Sequence, residues 1–361
     1  MRLLMTSMLI YLCLSTIADA KVLFKASVTK DGPSGIFTMA DDGSNIAPLI
    51  GPDGSGPGYA RWSPNGKKIL FKKFEIGVGR AFFLMNLDGT DQQQLTIRDK
   101  RLNSEYDGGE FSPDGTAIVF SYTHYVEIPG GRGPKVALQI FYLKDNRIET
   151  IADDTRATAK DWSPDGKNIV FATGRSIGGG GTTLWIIRAN GTNLRPLIPE
   201  PAADPAGLIV HRWYPKWSPD GQKILYTEKE YIWETFRDEE NNRNIIALIH
   251  KAHRYLIRSK NVGSTVQELK IPKDLECMSM DWMDDGKSVI FCAHQVQLNT
   301  RPVIGEGRPR GIIYKYDLAT SEITQLTHNS WYYETVDWIS DDVLSVTPLG
   351  KKKVRWGMLK Q

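Results

Sequence analysis

The chain has 361 residues, 41% hydrophobic and 24% charged, with 33 glycines, 19 prolines, 10 tryptophans and 14 tyrosines. These are globular proportions, and the turn-forming and aromatic content favours many short strands over long helices. A formal net charge of +3 gives no electrostatic case for nucleic acid, whose binding needs a concentrated basic face; the densest basic run, Lys351-Lys352-Lys353 with Arg355, is short and reads as a solvated edge strand.

At the start, Arg2 precedes an apolar stretch from Leu3 to Ile17, followed by Ala18-Asp19-Ala20. A charged residue, an apolar core and an A-x-A site have the form of a secretory leader cut after Ala20. The apolar stretch is too short for an ordinary spanning helix. Cys13 is not read as a lipidated cysteine, because Leu12 stands where such leaders carry a small side chain. The expected organisation is a leader over 1–20 and one domain over 21–361, periplasmic or secreted and not membrane-spanning.

Three strands come next: Val22 to Ala26, Gly35 to Met39 and Ala47 to Ile50. A motif then recurs. It reads Arg61-Trp62-Ser63-Pro64-Asn65-Gly66, Glu110-Phe111-Ser112-Pro113-Asp114-Gly115, Asp161-Trp162-Ser163-Pro164-Asp165-Gly166 and Lys216-Trp217-Ser218-Pro219-Asp220-Gly221. Degraded copies are Asp281-Trp282-Met283-Asp284-Asp285-Gly286 and Asp337-Trp338-Ile339-Ser340-Asp341-Asp342, so the aromatic anchors recur at intervals of 49 to 65 residues. Ser-Pro-Asp-Gly is turn chemistry: proline presets φ, aspartate folds back on the backbone and glycine takes the positive-φ position. A short apolar strand follows each turn, as in Ile69-Leu70-Phe71, Ile118-Val119-Phe120 and Ile169-Val170-Phe171. A third strand ends in a second glycine turn (Leu87-Asp88-Gly89, Ala189-Asn190-Gly191), and a fourth closes the unit (Gln94-Leu95-Thr96, Gln325-Leu326-Thr327). Units of this length and content read as propeller blades.

This pattern resembles the WD40-like repeat of the TolB-like propeller family, over essentially the whole chain from Val22 to about Lys360. The resemblance implies an all-β fold of four-stranded antiparallel blades, six in number, with the ring closed by the N- and C-terminal strands around Trp338. The anchors Trp62, Phe111, Trp162, Trp217, Trp282 and Trp338 are expected to pack between neighbouring blades. Two further runs, Val343 to Val346 and Val354 to Met358, read as strands and leave a seventh partial blade as the alternative. TolB itself carries an α/β domain ahead of its propeller; the sequence suggests none here. The motif specifies fold far better than function.

In such a propeller the Ser-Pro-Asp-Gly and Asp-Gly turns share one face, and the insertions fall on the other. They run from Thr123 to Val136, Thr173 to Thr182, Glu228 to about Ala252, Ala293 to Arg310, Ile97 to Tyr106 and Pro199 to Tyr214. Long loops on a rigid scaffold are where binding concentrates. The candidate binding residues on this face are His124, Tyr125, Arg132, Arg175, His211, Trp213, Tyr214, His294, Trp331 and Tyr332, a mixture typical of recognition surfaces. The charged middle of the largest insertion, Arg237 to Arg243, is either a loop tip between long strands or a short helix.

Catalytic motifs are sparse. No G-x-S-x-G elbow occurs, as a peptidase of the propeller-hydrolase kind would need. Asp41-Asp42-Gly43 and Asp284-Asp285-Gly286 lack the acidic spacing of a calcium loop, and Gly178 to Gly181 lacks the strand-to-helix context of a phosphate cradle. The expectation is a monomeric, non-catalytic scaffold without cofactor that binds a protein or peptide of the cell envelope, with a glycan as the other ligand class. The alternative is a carbohydrate-active enzyme of the polysaccharide-lyase kind, with histidines among His124, His211, His250, His253, His294 and His328 converging on a metal over the channel. Finally, if Met283 to Gly286 is a four-residue hairpin loop, Cys277 faces Cys292 at disulfide reach.

Overall fold

The computed structural model describes residues 21–52, 56–75, 79–95, 105–128, 131–153, 155–174, 182–198, 207–238, 243–261, 265–300 and 309–344. The expected leader, Arg175 and the strand expected over 354–358 lie outside them. The first strands are β1 (Val22–Ser27), β2 (Ser34–Met39), β3 (Ala47–Ile50), β4 (Gly58–Trp62), β5 (Lys68–Glu75), β6 (Gly79–Asn86), β7 (Gln93–Gln94), β8 (Glu105–Phe111), β9 (Ala117–Ile128), β10 (Gly131–Tyr142), β11 (Ile148–Ala152) and β12 (Lys160–Trp162). There follow β13 (Asn168–Gly174), β14 (Thr182–Arg188), β15 (Arg195–Pro196), β16 (Leu208–Trp217), β17 (Lys223–Asp238), β18 (Arg243–Ser259), β19 (Val266–Glu268), β20 (Leu275–Met283), β21 (Ser288–Gln295), β22 (Ile312–Asp317), β23 (Ile323–Gln325) and β24 (Tyr332–Trp338).

They form six four-stranded antiparallel sheets. Blades 1 to 5 are simple meanders that begin at β4, β8, β12, β16 and β20. Blade 6 runs in the order β24-β1-β2-β3, so the last strand supplies the inner edge of the first sheet. The inner strands touch in the cycle β4, β8, β12, β16, β20, β24 and back to β4. The ring is a closed six-bladed propeller, and closure removes the open edge that a linear array would leave.

The repeated motif explains the blades. In blade 2 the Ser112 hydroxyl donates to Asp114 Oδ1 at 2.6 Å and accepts the Ala117 N–H at 2.9 Å, while Gly115 takes φ 71°. The same serine–aspartate geometry recurs at Ser163 and Ser218. The apolar run after each turn does not alternate with polar residues because both faces of a blade are covered. Ile69 and Phe71 feed the seam between blades 6 and 1, and Leu70 between them feeds the seam with blade 2. The anchors behave alike: Trp162 packs against blade 2, Trp217 against blade 3 and Trp282 against blade 4.

Three features differ from the sequence reading. The insertions over 123–136 and 228–252 are strand extensions, with β9–β10 and β17–β18 continuing as paired ribbons. The charged segment beyond Phe236 therefore sits at the tip of a long hairpin. At about 3.3 Å per residue, the part of β17 beyond Glu230 projects about 25 Å past an ordinary blade strand; this ribbon is called the arm. Val343 and Leu344 do not start a strand. Their N–H groups bond back to the Ser340 carbonyl within a single helical turn, Asp341–Leu344, that packs on the seam of blades 6 and 1. The hairpin register of blade 5 is two residues off the expected one: Met283 pairs with Ser288, because Asp284, Asp285 and Gly286 all take positive φ and form the loop with Lys287. With a bulge at Met278, Cys277 then faces Ala293 and Cys292 faces Ser279. Both thiols are free and buried, Cys277 in the seam with blade 4 and Cys292 in the seam with blade 6. They lie on opposite faces of the sheet, so the geometry does not bring them together as a disulfide.

Candidate functional site

The residue before each anchor points away from the seam and toward the axis. One per blade, these are Arg61, Glu110, Asp161, Lys216, Asp281 and Asp337. Their convergence is shown by contacts that skip a blade: Glu110 of blade 2 accepts from Lys216 Nζ of blade 4 at 3.1 Å. Glu110 also accepts from Arg61 Nε at 3.0 Å and from the Tyr59 hydroxyl at 2.5 Å. Arg61 reaches Asp337 at 3.8 Å, and Lys216 reaches Asp161 at 3.6 Å. Two of the carboxylates bind laterally, Asp161 accepting the Trp217 N–H and Asp337 the Trp62 N–H, each at 2.7 Å.

Two cations cannot neutralise four carboxylates in a place shielded from water, and the acids divide accordingly. Burial alone would raise the Glu110 carboxyl, but Arg61 and Lys216 outweigh it and hold it at about 2. Burial dominates at Asp161, pushed up to about 7 against the opposing pull of Lys216. Burial likewise keeps Asp337 far above the usual carboxylate range, with Arg61 opposing. The channel thus holds an ion-pair network around Glu110 and two acids, Asp161 and Asp337, whose neutral form burial favours.

A cavity of about 320 Å³ opens above this ring. Its walls include Tyr59, Trp213, Tyr214, Met278 and Met280 together with the polar Thr158, Lys160, Ser279 and Thr335, and Arg61, Glu110 and Lys216 form its floor. Tyr59, Gly108 and Tyr214 occupy equivalent places in their strands, three before the anchor, and take φ 45°, 55° and 54°. Glycine adopts that conformation freely; for a tyrosine it is strained, and such strain concentrates where a side chain must be aimed. The N-terminal ends of the inner strands lie at the arm end, since Leu208 pairs with Ile232 while Trp217 pairs with Ile224. The cavity is therefore the channel mouth on the arm side, away from the Ser-Pro-Asp-Gly turns.

From this mouth a ladder of rings leads into blades 4 and 5. Trp213 and His211 stack at 6.4 Å, His211 meets Tyr231 at 5.6 Å, and Tyr231 stacks on His250 at 4.8 Å. His250 meets His253 at 6.3 Å, and His253 meets Tyr255 at 5.0 Å. His294 faces Glu276 across β20 and β21. Glu276 pairs with Lys229 of blade 4 and lies 3.3 Å from His250 Nδ1.

The candidate residues thus separate. His211, Trp213, Tyr214 and His294 gather at blades 4 and 5, with Trp213 and Tyr214 also covering the cores of the seams on either side. His124, Tyr125 and Arg132 lie on the β9–β10 ribbon: His124 stacks on Tyr122 at 5.2 Å, and Arg132 bonds the Tyr125 carbonyl at 3.2 Å and pairs with Glu127. Trp331 packs on Phe37 at 4.9 Å against the blade 5–6 core, and Tyr332 sits in the β1–β24 ladder opposite Ser27. Tyr59 and the six axial charges escaped the sequence reading. The available signal was a charged residue before every anchor, a place with no part in the turn.

His250, His253 and His294 lie near one another around Glu276 at blades 4 and 5, His211 meets them only through Tyr231, and His124 and His328 stand apart, so the convergence on a metal that the lyase alternative asks for is not met among the described residues. Among the described residues, no three His, Cys, Asp or Glu side chains stand where they could hold one metal ion. Among the described residues, no helix is long and apolar enough to cross a membrane.

No protein-family model matches the chain. No curated protein matches it in sequence. Solved structures do. TolB from Acinetobacter baumannii superposes with a TM-score of 0.61 at 18% identity, over 88% of this chain and 66% of that one. An oligogalacturonate lyase in complex with manganese gives 0.50 at 15% identity, over 86% of this chain and 74% of that one. A puromycin hydrolase S511A mutant gives 0.51 at 14% identity, over 85% of this chain and 52% of that one. The chain thus spans just under two thirds of the TolB length. Two of these three are enzymes, so the expectation of a non-catalytic chain is corrected: this fold also serves catalysis. At these identities the likeness concerns architecture, and the chain shares the propeller fold of TolB.

Proposed function

We propose that the chain is a periplasmic or secreted propeller that takes a peptide or protein segment of an envelope partner at the arm-side mouth of its channel. The observation that supports this is the mouth itself. A cavity of about 320 Å³ has aromatic and methionine side chains among polar ones in its walls, over a charged floor, and it is edged by tyrosines in strained conformations. Such a surface suits an extended segment, since tyrosine and tryptophan supply contact area at little conformational cost and methionine adapts to irregular partners. The leader-like N-terminus supports the location. The test is capture of partners from envelope extract on the immobilised chain. Trp213→Ala and Tyr214→Ala, each checked for folding by circular dichroism, lose the captured partner, whereas Gln222→Ala on the turn face keeps it. Unchanged capture by both mouth variants contradicts the reading.

A second reading, a carbohydrate-active enzyme, draws on His250, His253 and His294 gathered around Glu276 beside the mouth. Incubation with acidic oligosaccharides tests it by product formation that is lost in His250→Ala.

A further inference from the structure

His253 is fully buried at the junction of blades 4 and 5. Its Nε2 accepts the backbone N–H of Cys277 in blade 5 at 3.2 Å. Nε2 must therefore be unprotonated, and the proton of the neutral ring sits on Nδ1, which has no partner. Protonating Nε2 turns this acceptor into a donor aimed at a donor, and it places a charge where water does not reach.

The surroundings offer that charge little relief. Facing the ring are Lys229 from β17, His250 and Tyr255 from β18, Glu276 and Cys277 from β20, and His294 from β21. Glu276 is the one acid of this group, and it is already shared by Lys229 and His250. Burial lowers the affinity of His253 for a proton, and Lys229 lowers it further; His211 and His294 are shifted the same way for the same reasons.

We propose that mild acid unlocks the seam between blades 4 and 5, with His253 as the trigger, so that the arm-bearing blade loosens from its neighbour while the other seams hold. The direction follows from linkage. A histidine whose folded-state proton affinity lies below its unfolded one contributes full stability above about pH 6.5 and loses it as pH falls below that value. Opening takes up protons, so the local opening constant rises about tenfold per pH unit for each histidine that charges. The inference does not depend on the binding reading, and its test needs no ligand.

The test is hydrogen–deuterium exchange on the mature chain between pH 7.5 and 5.0, corrected for intrinsic exchange chemistry. Segments covering β20 in blade 5 are compared with segments covering β5 in blade 1. The expected result is that protection of β20 falls at least about tenfold per pH unit below 6.5, while that of β5 stays flat. In His253→Gln the amide oxygen keeps the bond to Cys277 without titrating, and about one proton's worth of the fall, a factor of about ten per pH unit, disappears. If protection of β20 tracks that of β5 across the range, or if H253Q retains the whole excess loss, the proposal is overturned. Should H253Q not fold, the β20 and β5 comparison in the unaltered chain decides alone.

Discussion

Glu110→Gln is the sharpest probe of the axial network. The substitution keeps the shape of the side chain but removes the charge that Arg61 and Lys216 share at 3.0 and 3.1 Å. Their remaining counter-ions lie farther off, Asp337 at 3.8 Å and Asp161 at 3.6 Å. The magnitude comes from two directions. Lowering the Glu110 carboxyl from 4.5 to about 2 corresponds to about 3.5 kcal/mol at about 1.4 kcal/mol per unit. Breaking a buried pair from one side costs about 3–5 kcal/mol, and the lower end applies because Asp161 and Asp337 can ionise in place. The predicted loss is therefore about 3 kcal/mol at pH 7 by equilibrium urea unfolding. Because the folded-state affinity for the proton is depressed, the contribution is complete above about pH 4.5 and declines toward pH 2. The gap between the two proteins should shrink to less than half by pH 3. A loss within about 0.5 kcal/mol at pH 7, the scatter of ordinary surface substitutions, would refute the reasoning, as would a gap that widens in acid.

Asp161→Asn should act with the opposite sign: burial holds this acid at about 7, so the unaltered protein loses stability as pH rises from about 4 through 7. The variant, whose amide oxygen can still accept the Trp217 N–H, is expected to be the more stable at pH 8 and equal to the parent below pH 4 in thermal melts. Trp282→Ala should cost about 3–5 kcal/mol, because the ring is buried in the blade 4–5 seam and its Nε1 donates to the Lys216 carbonyl at 3.1 Å. A urea midpoint unchanged by that substitution would show that the anchor does not join the blades.

How far the sequence reaches follows from what each residue answers to. The aromatic anchor recurs six times and the Ser-Pro-Asp/Asn-Gly turn four times as local chemistry, so the repeating blades could be read from spacing, whereas six blades over seven and closure around Trp338 come with the TolB-like resemblance. The register of blade 5 could not be read from spacing, because Asp284 and Asp285 both adopt a conformation that their side chains permit but do not demand. The arm reads as a polar insertion because a two-stranded ribbon open to water on both faces does not impose strict alternation; Trp233 and Ile246 stay exposed at 43% and 67%. The site was half legible. Trp213, Tyr214, His211 and His294 stood out by type, but Tyr59 belongs with them only because a left-handed backbone aims it at the channel. The axial charges come from positions up to 276 residues apart (Arg61 and Asp337), and only the closed ring brings them into contact.

The binding reading meets its most direct test in site-specific photo-crosslinking in envelope extract. A benzophenone side chain replaces Tyr214 at the mouth in one protein and Gln222 on the turn face in another. The predicted result is a discrete adduct from position 214, competed away by excess unlabelled chain and absent from position 222. An adduct formed only from position 222, or equally from both, would contradict the placement of the binding site at the arm-side mouth.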